Sequence, residues 1–180
     1  MIKVAIVDDN QINRITIKEK LAPYQDVLLV FEATNGEDFF DKLESLPKED
    51  YPQVVLMDLE MPILDGIVTI ASVSIKFPEI KYIVLTIYED DDKIFEAIKA
   101  GASGYLLKED KAINIVEAMK NVVQFDGIPM SPAIARRAMD LLRDTPKPTA
   151  SMQNAIIDHQ LSDREMEILR EVVKGYNHHE

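Results

Sequence analysis

The sequence predicts an α/β protein built on a doubly wound, five-stranded parallel sheet. Three observations predict it: five short apolar runs, a segment of helical period after each, and turn-forming pairs at the joints. Several of the runs are apolar almost throughout, as expected of strands covered on both faces.

The elements follow in order. IKVAIV (2–7) is the first strand, and Ile12, Ile15 and Leu21 mark the helix after it. VLLVFEA (27–33) is the second strand; Asn35-Gly36 turns the chain, and Phe39, Phe40 and Leu43 mark the second helix, which ends at Leu46-Pro47. QVVLMD (53–58) is the third, and Asp65-Gly66 leads into a helix on Ile67, Ile70, Val73 and Phe77 that closes before Pro78. KYIVLT (81–86) is the fourth. Glu89, Asp90, Asp91 and Asp92 crowd the start of the next helix, where the dipole favours acids, and Ile94, Phe95 and Ile98 are its apolar positions. Ala100-Gly101 precedes the fifth strand, GYLLK (104–108), and Ile113, Val116 and Met119 mark the fifth helix.

Beyond residue 125 the texture changes. DGIPMSPAIARRAMDLL (126–142) predicts a helix with Ser131 as cap and Pro132 in its first turn. RDTPKPTASMQN (143–154) is polar, holds two prolines and reads as a linker. From Ser162 the chain starts another helix: Glu165 completes a capping box, and Met166, Leu169, Val172 and Val173 give it an apolar face. The expected division is a domain over 1–125, a linker with one helix over 126–160, and a last segment over 161–180.

Composition narrows the function. The net charge of −12 disfavours non-specific nucleic-acid binding, which needs clustered Lys and Arg. With no cysteine there are no disulfides and no thiolate metal sites. No apolar run approaches the ~18–20 residues of a membrane span. MIKVAIVDDN does not resemble a signal peptide, so the cytoplasm is the expected location and no membrane partner is expected.

In a parallel sheet of this kind, ligands bind beyond the carboxyl ends of the strands. There the sequence places Asp8-Asp9, Asp58, Thr86 and Lys108, each group at the end of its own strand. Carboxylates brought together repel unless a cation joins them, and Mg²⁺ prefers a few carboxylate oxygens plus water. With an ammonium and a hydroxyl beside them, they suit a phosphoryl group, and Asp58, after a fully apolar strand, is the natural nucleophile. Blander roles exist for each residue alone: Asp8, Asp9 and Asn10 as a helix cap, Thr86 as a strand residue, Lys108 as a surface lysine, Asp110 as the cap of the fifth helix. The conjunction is what is specific.

VDDN (7–10), MDLEMPILDG (57–66), LTIYEDDD (85–92) and AGASGYLLKED (100–110) carry a resemblance. Residues 1–125 resemble a response-regulator receiver domain of the NarL/FixJ subfamily, with its flavodoxin-like fold. The resemblance implies that Asp58 accepts phosphate from a sensor histidine kinase. It implies that Asp9 and Asp58 ligate Mg²⁺ by side chain, Glu60 by its backbone carbonyl, and Asp8 through a water. Lys108 would pair with the phosphoryl group. Thr86 would turn inward to it and Tyr105 would follow inward, repacking the face of the fourth helix, fifth strand and fifth helix. Such a protein is no enzyme in the ordinary sense; it assists its own phosphorylation and dephosphorylation. Glu60 and Tyr88, each two residues after a key position, would tune access of water to the acyl phosphate. No proline follows Lys108, unlike many receivers outside this subfamily, so the local geometry there is expected to differ.

The last segment resembles the opening of a LuxR-type helix-turn-helix, on Leu161, Ser162, Arg164, Glu165 and Gly175. The recognition helix that would read bases lies beyond it in that family. Residues 151–180 hold six acids against Arg164, Arg170 and Lys174, so DNA binding is expected only of the intact protein. His178-His179 do not share a helix face and suggest no metal site. The leading expectation is a transcriptional response regulator whose phosphorylation changes domain packing or dimerisation, which makes a homodimer one expected assembly. Two other classes remain: a metal-dependent phosphatase, disfavoured because Asp8-Asp9-Asn10 is not Asp-x-Asp, and a receiver used purely for protein interaction.

Overall fold

The computed structural model describes residues 1–87 and 91–144. Tyr88 and the segment over 161–180 lie outside them, as does most of the polar linker. Among the described residues, five strands form one sheet in the order β2-β1-β3-β4-β5. These are β1 (Ile2–Val7), β2 (Val27–Ala33), β3 (Val54–Met57), β4 (Lys81–Thr86) and β5 (Gly104–Leu107). Every neighbouring pair is parallel. Helices alternate with them: α1 (Gln11–Leu21), α2 (Gly36–Ser45), α3 (Gly66–Lys76), α4 (Asp91–Ala100), α5 (Ala112–Phe125) and α6 (Pro132–Asp144). This is the doubly wound architecture that the sequence predicts.

Alternation along each strand sorts the core into two layers. Ala5, Val7, Val55, Met57, Tyr82, Val84, Tyr105 and Leu107 face one side, against residues of α2, α3 and α4. Val4, Ile6, Val54, Leu56, Ile83, Leu85 and Leu106 face the other, against α1 and α5. The all-apolar reading of β1, β3 and β4 follows: both faces of those strands are covered.

The helix phases differ from the sequence reading in three places. In α1, Ile17 is 4% exposed and Leu21 is buried, whereas Ile12 is 72% exposed and Ile15 also faces solvent. The inward stripe is completed by Arg14 and Lys18, whose heads reach Glu32 on β2. In α4, Ile94 and Ala97 point inward while Phe95 and Ile98 are exposed; in α5, Ile115 is buried and Ile113 is exposed. Small or long-stemmed residues thus hold inward positions that a count of large apolar side chains assigns elsewhere.

Caps fix where helices start. Asn10 Oδ1 accepts from Ile12 N–H at 2.8 Å, Asn35 Oδ1 from Asp38 N–H at 2.9 Å, and Asp65 Oδ1 from Val68 N–H at 2.8 Å. Asp110 does not cap α5. The residue before that helix is Lys111, which makes no capping bond, and the Asp110 carboxylate turns back to the end of β5. Helix α6 packs on the core of this domain: Ile134 is fully buried in the layer that holds Tyr105, with Ala133, Ala138 and Leu141 against it.

Candidate functional site

The strand order reverses direction between β1 and β3, and ligands of such sheets bind at that point. The hydrogen-bond ladder runs one residue past the strands there. Asp8 N–H donates to Ala33 O at 3.1 Å, Asp58 N–H to Val7 O at 2.8 Å, and Lys108 N–H to Thr86 O at 2.7 Å. Asp8, Asp58 and Lys108 are therefore held in register by the sheet itself.

Their side chains converge. Lys108 Nζ lies 2.7 Å from Asp58 Oδ2 and 2.7 Å from Asp8 Oδ2. Carboxylate oxygens of Asp8, Asp9 and Asp58 all lie within 4.8 Å of one another. Asp8 and Asp58 are buried and Asp9 is exposed, so the cluster opens to solvent on the Asp9 side. Asp8 Oδ1 is satisfied by Asn10 N–H at 2.9 Å and Asn13 Nδ2 at 3.2 Å, while Asp58 Oδ1 accepts from Leu59 N–H at 2.9 Å.

Electrostatics follow from burial and crowding. Burial pushes the Asp58 carboxyl above the usual range; the hydrogen bond and charge of Lys108 pull against this, and the charge of Asp8 adds to it. Burial also opposes the Lys108 ammonium, but its hydrogen bonds and charge contacts with Asp58 and Asp8 outweigh that and hold it above its ordinary value. The half-buried Lys108 ammonium thus faces carboxylates that outnumber it. That donor set fits a hard divalent cation, which takes several oxygen ligands and neutralises the surplus charge.

The remaining candidates fall around this centre. Thr86 and Tyr105 are each 1% exposed. Tyr105 lies in the core layer with Ile94, Ala97 and Ile134, so its ring occupies the interior position. Glu60 is exposed, and its carboxylate pairs with Lys93 of α4. Asp9, Glu60, Met61, Asp65, Lys93 and Glu96 line one open groove beside the cluster.

Other residues support the site, and of these Arg14 and Lys20 lie outside the motifs. Arg14 Nη1 donates to the carbonyls of Asp8 at 2.7 Å and Asp9 at 3.1 Å, which fixes the loop that carries both acids. Lys20 Nζ donates to the carbonyls of Lys108 at 2.7 Å and Asp110 at 2.8 Å. Gly66 lets α3 start against the loop after β3: a Cβ there would stand 2.0 Å from Asp58 O.

Comparison with known proteins gives a concordant result. The response regulator receiver domain family matches residues 4–120. The chain is 32% identical over 179 residues to the response regulator protein VraR of Staphylococcus saprophyticus, covering 99% of this chain and 79% of that protein. It is 31% identical over 189 residues to the transcriptional regulatory protein LnrK of Bacillus subtilis, covering 100% of this chain and 80% of that one. In fold it is similar to a two-component response regulator of the LuxR family from Aurantimonas, with a TM-score of 0.70 at 23% identity, over 79% of this chain and 98% of that one.

Proposed function

The chain belongs to the response regulator receiver family, and from that premise we propose that Asp58 accepts a phosphoryl group from a sensor histidine kinase. One observation supports this most: Lys108 Nζ sits 2.7 Å from both Asp8 and Asp58, so three strand ends contribute to a single charged centre. An Asp58 carboxylate oxygen attacks the phosphorus of a phosphohistidine. The P–N bond breaks and its electron pair leaves with the imidazole nitrogen.

Asp9 and Asp58 would hold Mg²⁺ by side chain, Glu60 by its backbone carbonyl, and Asp8 through a water. When bound, the ion supplies positive charge against the transferring phosphoryl oxygens. Lys108 gives up part of its contact with Asp8 and pairs with a phosphoryl oxygen. The Thr86 hydroxyl turns inward and donates to another, and Tyr105, the second switch residue, packs into the space that Thr86 vacates. These residues assist both gain and loss of the phosphate, so the chain is a signalling protein that modifies itself rather than a turnover enzyme. Glu60 and Tyr88 set the access of water to the acyl phosphate, and hence its lifetime.

The output is regulation of transcription through a DNA-binding region whose opening motif lies in residues 161–180. The motif match there and the name of the Bacillus relative support this. Phosphorylation shifts an existing equilibrium of domain packing or homodimerisation. The cytoplasm is the fitting compartment; among the described residues no helix is long and apolar enough to cross a membrane.

Intact-mass measurement after incubation with acetyl phosphate and Mg²⁺ tests the acceptor. The wild type gains one phosphoryl group and Asp58→Asn gains none. A wild type that stays unmodified, or an Asp58→Asn chain that is modified equally, sinks the assignment.

A further inference from the structure

The segment after α5 does more than lead away from the sheet. Tyr105 N–H donates to Pro129 O at 2.9 Å and Ser131 N–H donates to Tyr105 O at 3.1 Å, so residues 129–131 run beside β5 as a parallel strap. The approach is close enough to require glycine on β5: a Cβ on Gly104 would stand 2.9 Å from Pro129 O and 2.9 Å from its Cγ. The strap ends in Ser131, which is 4% exposed.

The hydroxyl of Ser131 is tied into the end of β5. It accepts from Leu107 N–H at 3.0 Å and donates to Asp110 Oδ2. Asp110 Oδ2 in turn accepts from Leu107 N–H at 3.1 Å, and Asp110 N–H closes a turn on Leu107 O at 3.0 Å. Lys108 lies inside that turn. A hydroxyl that donates to a carboxylate makes one of the stronger hydrogen bonds, and this one is part-buried, so the turn is held on one side by Ser131.

We infer that Ser131 is a positioning residue for Lys108: through Asp110 the strap holds the turn that aims the Lys108 ammonium at Asp58, and displacement of that ammonium by a phosphoryl group loosens the strap. This rests on the acceptor role proposed for Asp58. The coupling runs both ways, because whatever the strap contributes to the state of Lys108, Lys108 returns to the strap. Helix α6 begins immediately after Ser131 and buries Ile134 beside Tyr105, so loosening at 129–131 reaches the helix that leads to the rest of the chain.

Two readings on the same samples of the 180-residue chain test it: phosphate uptake by intact mass with acetyl phosphate and Mg²⁺, and amide exchange at Tyr105 and Ser131 before and after phosphorylation. Phosphorylation should speed exchange at both amides by about threefold or more. Ser131→Ala should take up phosphate about threefold more slowly at saturating donor, with the half-saturating concentration unchanged, and Ser131→Thr, which keeps the hydroxyl, should restore the rate. A purely structural role would lower stability without that split between rate and half-saturation. Phosphorylated wild type with unchanged exchange at Tyr105 and Ser131 overturns the inference. So does a folded Ser131→Ala chain that is phosphorylated at the wild-type rate; if that variant does not fold, the exchange comparison on wild type decides alone. Absence of any mass gain on wild type removes the acceptor reading and this inference with it, and the mass spectrum separates that result from the others.

Discussion

The Nζ of Lys20 lies 2.7 Å from the carbonyl oxygen of Lys108, a residue 88 positions away in the chain. The same ammonium reaches the Asp110 carbonyl at 2.8 Å, so α1 grips both sides of the turn after β5. Many receivers outside this subfamily place a proline after the lysine, and here Glu109 follows instead. A charged donor shared by two carbonyls replaces a ring constraint with hydrogen bonds.

Lys20→Met keeps the aliphatic stem and removes both bonds. The carbonyls regain water only in part, because the contact is half-buried, so the expected loss is about 1–2 kcal/mol. Misplacing the ammonium of Lys108 should also slow phosphate uptake from acetyl phosphate by about threefold to tenfold. Urea unfolding and uptake kinetics measure the two effects separately. Uptake at the wild-type rate would show that Lys20 does not help to position Lys108.

Strand ends were legible in the sequence because each strand is a short, mostly apolar run that stops at a polar residue. Asp8, Asp58, Thr86 and Lys108 could be placed on one rim from that pattern alone. The supports of the site were not legible. Lys20 and Ser131 act on backbone groups 24 to 90 positions away, and no local spacing encodes such a partner; Arg14 and Asp110 act on groups three to six positions away, through turns whose geometry the residue pattern does not show. Helix phase was lost for a related reason. Arg14 and Lys18 bury their stems on the inward face of α1, and that face therefore looks polar.

The phase of α1 gives a clean contrast. Ile17→Ala removes a side chain from the core layer shared with Ile6 and Val116, and should cost about 2–4 kcal/mol. Ile12→Ala, on the solvent face, should change stability by no more than about 0.5 kcal/mol. Denaturant midpoints of the two variants decide between this phase and the one centred on Ile12 and Ile15. Equal losses would refute it.

Gly66→Ala probes the approach of α3 to the loop that carries Asp58. The added methyl would meet Asp58 O at 2.0 Å and Leu59 Cα at 2.9 Å, and both are backbone atoms that cannot rotate away. The loop must shift, at about 1–3 kcal/mol. Because the displaced carbonyl belongs to Asp58, phosphate uptake should fall by more than folded fraction explains. Circular dichroism melts together with uptake rates at a temperature where the variant is fully folded would show this. A variant that melts early yet takes up phosphate normally would place the shift in the helix rather than in the loop.

Asp58→Asn should stabilise the metal-free protein while abolishing acceptance. The folded state raises the Asp58 carboxyl above its ordinary value, through burial and the charge of Asp8, against the pull of Lys108. An acid whose folded value lies above its unfolded value opposes folding when ionised, and that opposition fades as pH falls toward the folded value. At neutral pH the neutral amide removes it. The expected result is a higher Tm for the variant than for the wild type when Mg²⁺ is absent. Mg²⁺ should reverse the order. Bound to the wild type at about 100 times its dissociation constant, it adds about 2.7 kcal/mol, whereas the amide variant lacks one of the charged ligands. Melts with and without Mg²⁺ therefore cross: the variant melts higher without the ion and the wild type higher with it. Curves that never cross would mean that Asp58 does not face the metal.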